Sequence, residues 1–401
     1  MEERGLVVIG AGPGGSSAAK TAAETGQDVL LIEKDRYAGE RTVCGGGLEP
    51  PFAQRLAGRF PSGVVDKYMT DWLIYPPLRH NLPDRTYYAS NVLGMSFQRC
   101  IFDRFLAEDA ARSGADLRVQ TVATDVKQNA EGVTVRLRDR QASREYEVRS
   151  RLVIFADGPK TLAQKFGLGF PRTRPDVTAH AAIYELEWKN NPLNCFEFFL
   201  DRQIPWGYGW VFPKKDVLNV GVGCLMSRMT TNIKAYLDYF VEESPFASRN
   251  LRSLKKVRFA ADIIPVAHAS HIVGDNMMVV GDAAGMVDPI WGGGIGHAIS
   301  GGTIAGEVAS RALDENRVDS TFLKQFERKW KRTSEYRDLR LAFLGYRLFL
   351  RFSRFDDDAF YKFMKLAGWS EGMRIPRLGP EQLREKGVIG VATMNRSDQS
   401  L

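Results

Sequence analysis

The chain has 401 residues, of which 44% are hydrophobic and 26% are charged, and it contains 38 glycines. This composition is ordinary for a globular protein and excludes a collagen-like, coiled-coil or wholly disordered chain, while the length predicts two or three domains. The 55 Lys+Arg exceed the 48 Asp+Glu and give a net charge of +7. So mild an excess fits an anionic ligand or a membrane surface and does not indicate a nucleic-acid partner.

The cysteines and histidines predict neither a disulfide framework nor a metal site. Cys44, Cys100, Cys195 and Cys224 are scattered without a CxxC spacing, and only five histidines occur. The apolar run at residues 6–9 is too short for the core of a signal peptide. No window reaches the ~18 uninterrupted apolar residues that a membrane-spanning helix requires. We therefore expect a cytoplasmic protein, with peripheral contact at the cytoplasmic face of the membrane as an open question.

The first elements in chain order are typical of a dinucleotide-binding unit. Residues 6–9 form a short apolar run that indicates a buried parallel strand. A glycine-rich turn follows, then helix formers at residues 16–24 and a second apolar run that ends at Glu33. The candidate phosphate-binding residues are the four glycines of the turn: Gly10, Gly12, Gly14 and Gly15.

Three of these glycines match the pattern GxGxxG. Gly10 allows a tight turn, Gly12 lets the backbone approach a pyrophosphate, and Gly15 lets the helix pack on the strand. The N-terminus of that helix presents N–H groups to phosphates. Glu33, 18 residues beyond Gly15, can accept hydrogen bonds from a ribose diol and would repel a 2′-phosphate. The motif therefore predicts FAD or NAD(H), and by itself it does not distinguish them.

A second glycine-bearing region lies far downstream. Residues 277–280 indicate another buried strand, which ends at Asp282 on a tight turn, and the glycine-rich residues 292–296 open a helical run. A carboxylate at a strand end can bind a hydroxyl group of a sugar alcohol. A glycine-rich helix start can receive an anion such as the edge of a reduced flavin ring.

Together these segments resemble the FAD-dependent geranylgeranyl reductase family, within the larger group of aromatic-hydroxylase-like flavoproteins. The resemblance covers about residues 5–310. It is carried by several segments: GAGPGGSSAA near the N-terminus, VCGGGL at 43–48, Gln98-Arg99 with Phe102-Asp103, Asp157-Gly158, YGWVFP at 208–213, and VGDAAGMVDP with GGGIGHAISGG. Of these, Asp157-Gly158 taken alone predicts only a turn.

The pattern and the resemblance together predict an α/β fold. It would contain a Rossmann-type FAD-binding domain built from discontinuous segments, an antiparallel-sheet substrate domain and a C-terminal helical region. We expect the FAD-binding domain at 1–70, 97–170 and 265–319, the substrate domain at 71–96 and 171–264, and the helical region at 320–401.

The resemblance also implies contacts of individual residues with FAD. Arg99 would contact the phosphates, Asp282 the ribityl chain, and the backbone of Val122 the adenine. A last group is expected to border or contact the flavin ring: Cys44, Gly45, Gly47, Gly294 and Ile295.

On the substrate side, the segment 205–213 places four aromatic residues at every second position: Trp206, Tyr208, Trp210 and Phe212. On a strand, all four would face the same side. One interpretation is a core face of the sheet. The other is a wall for a bulky apolar ligand, because glycines at 207 and 209 make the strand unusually open.

The resemblance implies an FAD-dependent reductase acting on a prenylated lipid or prenyl diphosphate. Reduced flavin N5 would deliver a hydride to an isolated C=C bond of a geranylgeranyl-type chain, and an acid would protonate the other carbon. Cys44 and Tyr208 are the candidate acids. Only one GxGxxG occurs, so transiently docked NAD(P)H or a carrier such as ferredoxin would reduce the flavin.

Two alternatives stay open at this point: a flavin monooxygenase on the same fold, and a membrane-docked electron-transfer flavoprotein that reduces a quinone. A third, a non-enzymatic lipid carrier, would have no use for a complete set of FAD-binding segments. The C-terminal run 331–355 raises the membrane question again. Its arginines share one face beside an apolar face: Arg340, Arg347, Arg351 and Arg354. Such a helix suits an anionic membrane surface, or it packs on the body with its arginines in solvent.

Overall fold

A computed structural model describes residues 1–75, 86–129, 131–171, 174–245, 247–352 and 377–391. These residues form two compact units, each assembled from three stretches of chain. The first unit contains Met1–Thr42, Arg99–Arg174 and Ile264–Phe343. The second contains Val43–Gln98, Pro175–Ile263 and, from Leu344 on, the described C-terminal residues.

The first unit contains an eight-stranded sheet with helices packed against it. Its strands are β1 (Glu2–Ile9), β2 (Val29–Ile32), β6 (Asp116–Arg118), β7 (Thr121–Asn129), β8 (Gly132–Asp139), β9 (Arg144–Phe155), β15 (Val273–Gly274) and β16 (Met277–Val279). Its helices are α1 (Pro13–Glu24), α3 (Arg99–Arg112), α6 (Ile295–Asp314), α7 (Ser320–Lys331) and the first part of α8 (Ser334–Phe352).

Five parallel strands of this sheet determine where a ligand can bind. They lie in the order β16-β9-β1-β2-β6, which is 5-4-1-2-3 by position along the chain. The order reverses between β1 and β9, and open α/β sheets bind ligands at that switch point, beyond the carboxyl ends of the strands. Here those ends lead into Gly10 and Asp157.

Helices α1 and α6 approach each other closely because small residues line their contact. A Cβ atom built on Gly302 would lie 2.1 Å from the carbonyl oxygen of Gly14, and one on Gly306 would lie 2.6 Å from that of Ala18. A Cβ atom on Gly14 would lie 3.3 Å from the carbonyl oxygen of Ala298. The two helices therefore run in the same direction, and their N-termini lie at the same end of the unit.

The second unit is organised around a nine-stranded sheet in the order β14-β10-β13-β12-β11-β4-β5-β17, with β3 on β5. Its strands are β3 (Gly47–Leu48), β4 (Lys67–Tyr75), β5 (Thr86–Ser96), β10 (Thr178–Glu187), β11 (Cys195–Phe199), β12 (Gly207–Pro213), β13 (Val217–Leu225), β14 (Lys255–Pro265) and β17 (Arg377–Leu378). Its helices are α2 (Phe52–Leu56), α4 (Ile233–Glu242), α5 (Ser248–Leu251), the last part of α8, and α9 (Pro380–Glu385).

The antiparallel character expected for this unit is confirmed for β10–β13, β13–β12, β12–β11 and β4–β5, whereas β4 and β11 pair in parallel. One face of the sheet packs into an apolar core with α4. On this face, the rings of Phe199 and Phe240 meet edge to face at 5.3 Å. Alternate residues of β11 and β12 must therefore point to the opposite face.

The unit boundaries differ from those read off the sequence. The sequence placed the first boundary at residue 70, but the first unit ends at Thr42, because β3 and β4 both pair with β5 in the second sheet. Cys44, Gly45 and Gly47 consequently belong to the second unit.

The predicted helical region 320–401 is divided between the two units. In α7, Phe322, Phe326 and Trp330 pack into the core of the first unit, whereas Leu383 and Val391 belong to the core of the second. Turn residues interrupt the helical run expected from residue 331, and α8 begins at Ser334.

The amphipathic face predicted for α8 is described only in part. Leu341 and Leu344 are 58% and 50% exposed. The side chains of Arg347 and Arg351, and the whole of Arg354, lie outside the described residues. Among the helices that the structure describes, none is both long and apolar enough to cross a bilayer.

Gly302→Ala tests the close approach of α1 and α6. We expect it to lower the free energy of unfolding by about 1–3 kcal/mol, because the new methyl group collides with backbone. Gly301→Ala is the matched control on the same helix, since its Cβ would meet only the flexible end of Met286, with Sδ at 2.5 Å. Denaturant unfolding of both variants measures the difference, and equal stabilities would show that the contact is not tight.

Candidate functional site

The turn after β1 is held by close backbone contacts and open on one side. Gly10 has φ +98°, and a Cβ there would lie 2.5 Å from the carbonyl oxygen of Ala156. A Cβ on Gly15 would lie 1.9 Å from the carbonyl oxygen of Gly10, whereas one on Gly12 would meet nothing within 4 Å. Because α1 begins at Pro13, the open side of the turn lies at a helix N-terminus, where an anion is favoured.

Glu33 connects the end of β2 to this turn. Its carboxylate accepts hydrogen bonds from the backbone N–H groups of Ala11 (3.1 Å) and Asp35 (3.0 Å). Burial raises the pKa of Glu33, and those two hydrogen bonds oppose the shift. The N–H of Thr121 donates to the carbonyl oxygen of Glu33 (2.8 Å), so Val122, the next residue of β7, lies beside the same carboxylate-bearing segment.

Asp157 belongs to a segment that carried the family resemblance but was not itself predicted as a site residue, and the structure makes it a candidate. It follows β9, next to Gly10, and its Oδ2 accepts a hydrogen bond from the N–H of Leu162 at 2.8 Å. Its Oδ1 is buried and has no hydrogen-bond partner among the residues that the structure describes. Burial raises the pKa of Asp157 against the hydrogen bonds from Thr161 and Leu162. A buried, unpartnered carboxylate oxygen at the switch point fits a ligand that donates hydroxyl groups.

The second glycine region converges on the same unit. Asp282 follows β16, and a Cβ on Gly294 would lie 3.5 Å from Asp282 Oδ1, so the carboxylate lies beside the start of α6. Ile295 is the first residue of α6 and is buried. Asp288 Oδ1 accepts from the N–H groups of Ile290 (2.7 Å) and Trp291 (3.0 Å) and so closes the turn that precedes this helix.

Arg99 lies at the start of α3, where its guanidinium makes two hydrogen bonds of 2.7 Å to the carboxylate of Asp103. Asp103 is buried, and burial raises its pKa against the opposing charge of Arg99. The arginine is therefore held in one orientation by a buried partner. Its predicted contact with phosphates stays a prediction.

The aromatic strand of the second unit presents three of its four predicted side chains on one face. Tyr208 and Trp210 have ring centroids 5.9 Å apart, and Trp210 and Phe212 have centroids 6.3 Å apart. Trp206 precedes the strand, with φ +55°, and its ring lies under the guanidinium of Arg228 at 4.6 Å. The shared face predicted for all four residues is therefore wrong for Trp206, because the strand begins only at Gly207.

Sequence reasoning missed the aromatic residues that extend this face over two further strands. The ring of Trp72 on β4 stacks on Phe198 of β11 with centroids 5.4 Å apart, and Phe198 lies 5.3 Å from Phe212. Phe196 lies 4.6 Å from Phe212. The alternation in CFEFF and YMTDWLIY is the signal that could have found them. We call these six residues the aromatic face: Trp72, Phe196, Phe198, Tyr208, Trp210 and Phe212.

Gly221 makes room for the largest ring of the aromatic face. It is the register partner of Trp210 on β13, and a Cβ there would lie 2.1 Å from the indole. A side chain at this position would push the indole off the sheet. Tyr208 likewise lies opposite a glycine, Gly223.

The Cys44 turn, residues Cys44–Gly47, lies directly on the aromatic face. A Cβ on Gly45 would lie 2.7 Å from the ring of Phe212, and one on Gly47 would lie 3.0 Å from it. Cys44 is half-buried, and its Sγ accepts a hydrogen bond from the N–H of Gly46 at 3.3 Å. The structure thus brings the predicted residues Cys44, Gly45 and Gly47 together with the predicted aromatic strand.

Comparison with known proteins matches most of the chain to two family models. Residues 5–170 match the model of FAD-dependent oxidoreductases, and residues 177–260 match that of the geranylgeranyl reductase catalytic domain. The chain is 36% identical to digeranylgeranylglycerophospholipid reductase 1 of Methanothermobacter thermautotrophicus over 82% of each chain. The chain belongs to the geranylgeranyl reductase family. It is also 32% identical to the digeranylgeranylglycerophospholipid reductase of Methanosarcina acetivorans, over 92% of this reductase and 90% of that relative.

Solved structures support the fold of this geranylgeranyl reductase family member. A geranylgeranyl bacteriochlorophyll reductase-like protein from Thermoplasma acidophilum superposes with a TM-score of 0.76 at 26% identity and covers 97% of this chain and 100% of its own. The flavin-dependent brominase Bmp2 superposes with a TM-score of 0.73 at 19% identity, which shows the fold alone.

The resemblance stated from the sequence is therefore confirmed, and the reductase is an FAD-dependent oxidoreductase. Its first unit fits FAD on its own geometry, because it combines the open turn at Gly12, the unpartnered oxygen of Asp157 and two helix N-termini at one end. In the part of the chain that the structure describes, no cluster of three or more His, Cys, Asp or Glu side chains is arranged to hold a metal ion.

Asp157→Asn tests the role of this carboxylate, because we expect it to change protein stability and FAD affinity in opposite directions. In the folded apo-protein, burial raises the pKa of Asp157 above its ordinary value of 3.8. The contribution of this group to stability therefore decreases as the pH rises from the ordinary pKa to the raised one. The amide keeps an acceptor for Leu162 and removes the charge. We expect the stability of the variant relative to wild type to increase as the pH rises above the ordinary pKa of 3.8, while FAD binding weakens.

Urea unfolding of the apo-protein across that pH range, together with titration of FAD, checks both parts. Asp314→Asn, at an exposed position at the end of α6, is the control. A constant stability difference at every pH would contradict the assignment of a raised pKa to Asp157.

Proposed function

We propose that the reductase saturates isolated C=C bonds in the geranylgeranyl-type chains of a prenylated lipid, with a prenyl diphosphate as the alternative substrate. The observation that carries this proposal is the aromatic face of the second unit, with the Cys44 turn lying on it. The names of the relatives, which are digeranylgeranylglycerophospholipid reductases, support the lipid substrate.

A prenyl chain suits the aromatic face energetically. Burying one CH₂ group contributes ~0.8 kcal/mol, so one isoprene unit of five carbons contributes on the order of 4 kcal/mol before ordering costs. Tight binding then needs no polar contact along the chain. The same argument predicts weak discrimination between prenyl chains of different length, because each carbon changes the affinity only modestly.

FAD would be held by the first unit. The turn at Gly10, Gly12, Gly14 and Gly15 would receive the pyrophosphate with Arg99, and Glu33 would receive the ribose, with Val122 at the adenine. When bound and reduced, FAD supplies the hydride for the alkene. The ribityl chain and the flavin ring would be held by Asp282, by the N–H groups of Gly294 and Ile295, and by Gly45 and Gly47 beside Cys44.

The protein's own residues would exclude water and supply a proton. An isolated alkene has no carbonyl group to polarise, so charge that develops on carbon must be met by a dry environment with a proton donor close by. Phe196, Phe198 and Trp210 are at most 6% exposed and provide the dry part of the aromatic face. Cys44 Sγ and the Tyr208 hydroxyl are the two candidate proton donors at this face.

The electron donor and the membrane contact also belong to the proposal. NAD(P)H or a carrier such as ferredoxin would reduce the flavin. A peripheral contact with an anionic membrane would present the prenylated lipid, and the exposed Leu341 and Leu344 on α8 support it.

Anaerobic turnover tests the proposed function directly. The purified holoprotein, reduced by dithionite, is mixed with a digeranylgeranylglycerophospholipid, and the lipid is then weighed by mass spectrometry. We expect a gain of two mass units per reduced bond, because each saturation adds two hydrogens. An unchanged lipid in the absence of oxygen, together with oxygen-dependent hydroxylation of an added aromatic substrate, would favour a monooxygenase instead.

Cys44→Ala tests the proton donor. We expect turnover to fall by about 10²–10⁴-fold if Cys44 supplies the proton, with the FAD content unchanged. Cys100→Ala is the matched control, since Cys100 is also half-buried but lies on α3 of the first unit. Full activity of Cys44→Ala would remove Cys44 from the mechanism and leave Tyr208, tested by Tyr208→Phe, as the donor.

A further inference from the structure

Three consecutive carbonyl oxygens of the Cys44 turn accept hydrogen bonds from two side chains, one directly after β12 and one on β13. Asn219 Nδ2 donates a hydrogen bond to the carbonyl oxygen of Cys44 at 3.0 Å. Lys214 Nζ donates to the carbonyl oxygens of Gly45 and Gly46, both at 2.7 Å. These contacts join parts of the chain that are more than 160 residues apart in sequence.

Lys214 is unusual because its ammonium group is buried. The residue is only 2% exposed, and Nζ makes a third hydrogen bond, to Ser96 Oγ at 2.9 Å. Burial raises the pKa of the nearby Asp66 carboxyl group, and the positive charge of Lys214 opposes that rise. Removing a cation from water is costly unless hydrogen bonds replace its hydration. Two of the three oxygens that replace it here belong to the Cys44 turn, so the buried ammonium group holds this turn.

Asn219 links the turn to the aromatic face. It is 3% exposed, and its Oδ1 accepts a hydrogen bond from Trp210 Nε1 at 3.0 Å. Asn219 is the register partner of Phe212, so its side chain points to the same side of the sheet as the rings. One amide thus fixes both the carbonyl group of Cys44 and the indole of Trp210.

The Cys44 turn cannot hold itself in place by side-chain packing. Three glycines follow Cys44, and side chains at Gly45 and Gly47 would collide with the ring of Phe212. Since glycine has the most conformational freedom of any residue, such a turn needs external hydrogen bonds to keep one conformation. The orientation of the thiol, which accepts the N–H of Gly46, depends on that conformation.

We propose that Lys214 and Asn219 are positioning residues that hold the Cys44 turn against the aromatic face and thereby fix the thiol for its part in alkene reduction. This inference rests on the proposed function only for the role of the thiol. The placement of the turn can be measured separately.

The experiment uses the FAD-loaded holoprotein of Lys214→Met and Asn219→Leu, with Lys215→Met at the adjacent exposed lysine as control. Two quantities are measured: kcat and KM with a digeranylgeranylglycerophospholipid, and the iodoacetamide alkylation rates of Cys44 and Cys100 in the same sample, resolved by peptide mass spectrometry. Cys100 provides an internal reference, because both thiols are half-buried.

We expect kcat to fall by about 10- to 100-fold in both variants, as for a misplaced reacting group, with little change in KM. The ratio of Cys44 to Cys100 alkylation should rise severalfold in both variants and stay unchanged in Lys215→Met. An unchanged ratio, or a rise in KM at constant kcat, would overturn the proposal.

If Lys214→Met loses FAD or fails to fold, Asn219→Leu, which removes a single neutral side chain, decides by the same criteria. If the wild-type protein reduces no alkene, the alkylation ratio still tests whether the turn is held. A raised ratio would then support the positioning role while the proposed function fails.

Discussion

The first unit depends on the close approach of two helices. Gly302 and Gly306 of α6 lie against the backbone of Gly14 and Ala18 of α1, at distances where a methyl group would collide. This contact brings two glycine-bearing segments, nearly 280 residues apart in sequence, to one end of a parallel sheet. Two partially positive helix ends thus face the switch point between β1 and β9. The carboxylates of Glu33, Asp157 and Asp282 lie at strand ends around the same region.

Burial of polar groups recurs in the candidate sites, and it has a cost. Glu33, Asp103 and Asp157 all have pKa values raised by burial, so ionising any of them in the apo-protein lowers its stability. Lys214 in the second unit is also buried, and its ammonium group donates hydrogen bonds to the carbonyl oxygens of Gly45 and Gly46. A stable core would use apolar residues at such positions. The ionisable residues found there instead suit ligand binding in the first unit and the positioning of the Cys44 turn in the second.

The second unit combines an aromatic face on its sheet with a glycine-rich turn that lies on this face. The rings of the aromatic face contact each other across three hydrogen-bonded strands. The Cys44 turn is rich in glycine and is held by the side chains of Lys214, directly after β12, and Asn219 on β13. Under the proposed function, this apolar surface would bind prenyl chains with weak discrimination of their length. A precisely held thiol above that surface would act on whichever bond reaches it.

The sequence by itself determined the nucleotide-binding half of this protein. GxGxxG, the acid after β2 and the second glycine region are local patterns with fixed spacing, and with the family resemblance they predicted the fold class and FAD. The contacts of individual first-unit residues with FAD stay predictions. The period of two in 208–212 predicted a shared face for Tyr208, Trp210 and Phe212. It failed for Trp206 because periodicity does not show where a strand begins.

Only the tertiary structure decided which unit holds the Cys44 turn, how far the aromatic face extends, and what Lys214 and Asn219 contact. Each of these depends on partners distant in sequence: Lys214 binds Gly45 across 169 residues, and Trp72 meets Phe198 through the pairing of β4 with β11. Local sequence governs backbone conformation and the alternation of faces. The partner of a polar side chain is instead fixed when separate segments pack together, and no short-range pattern records that.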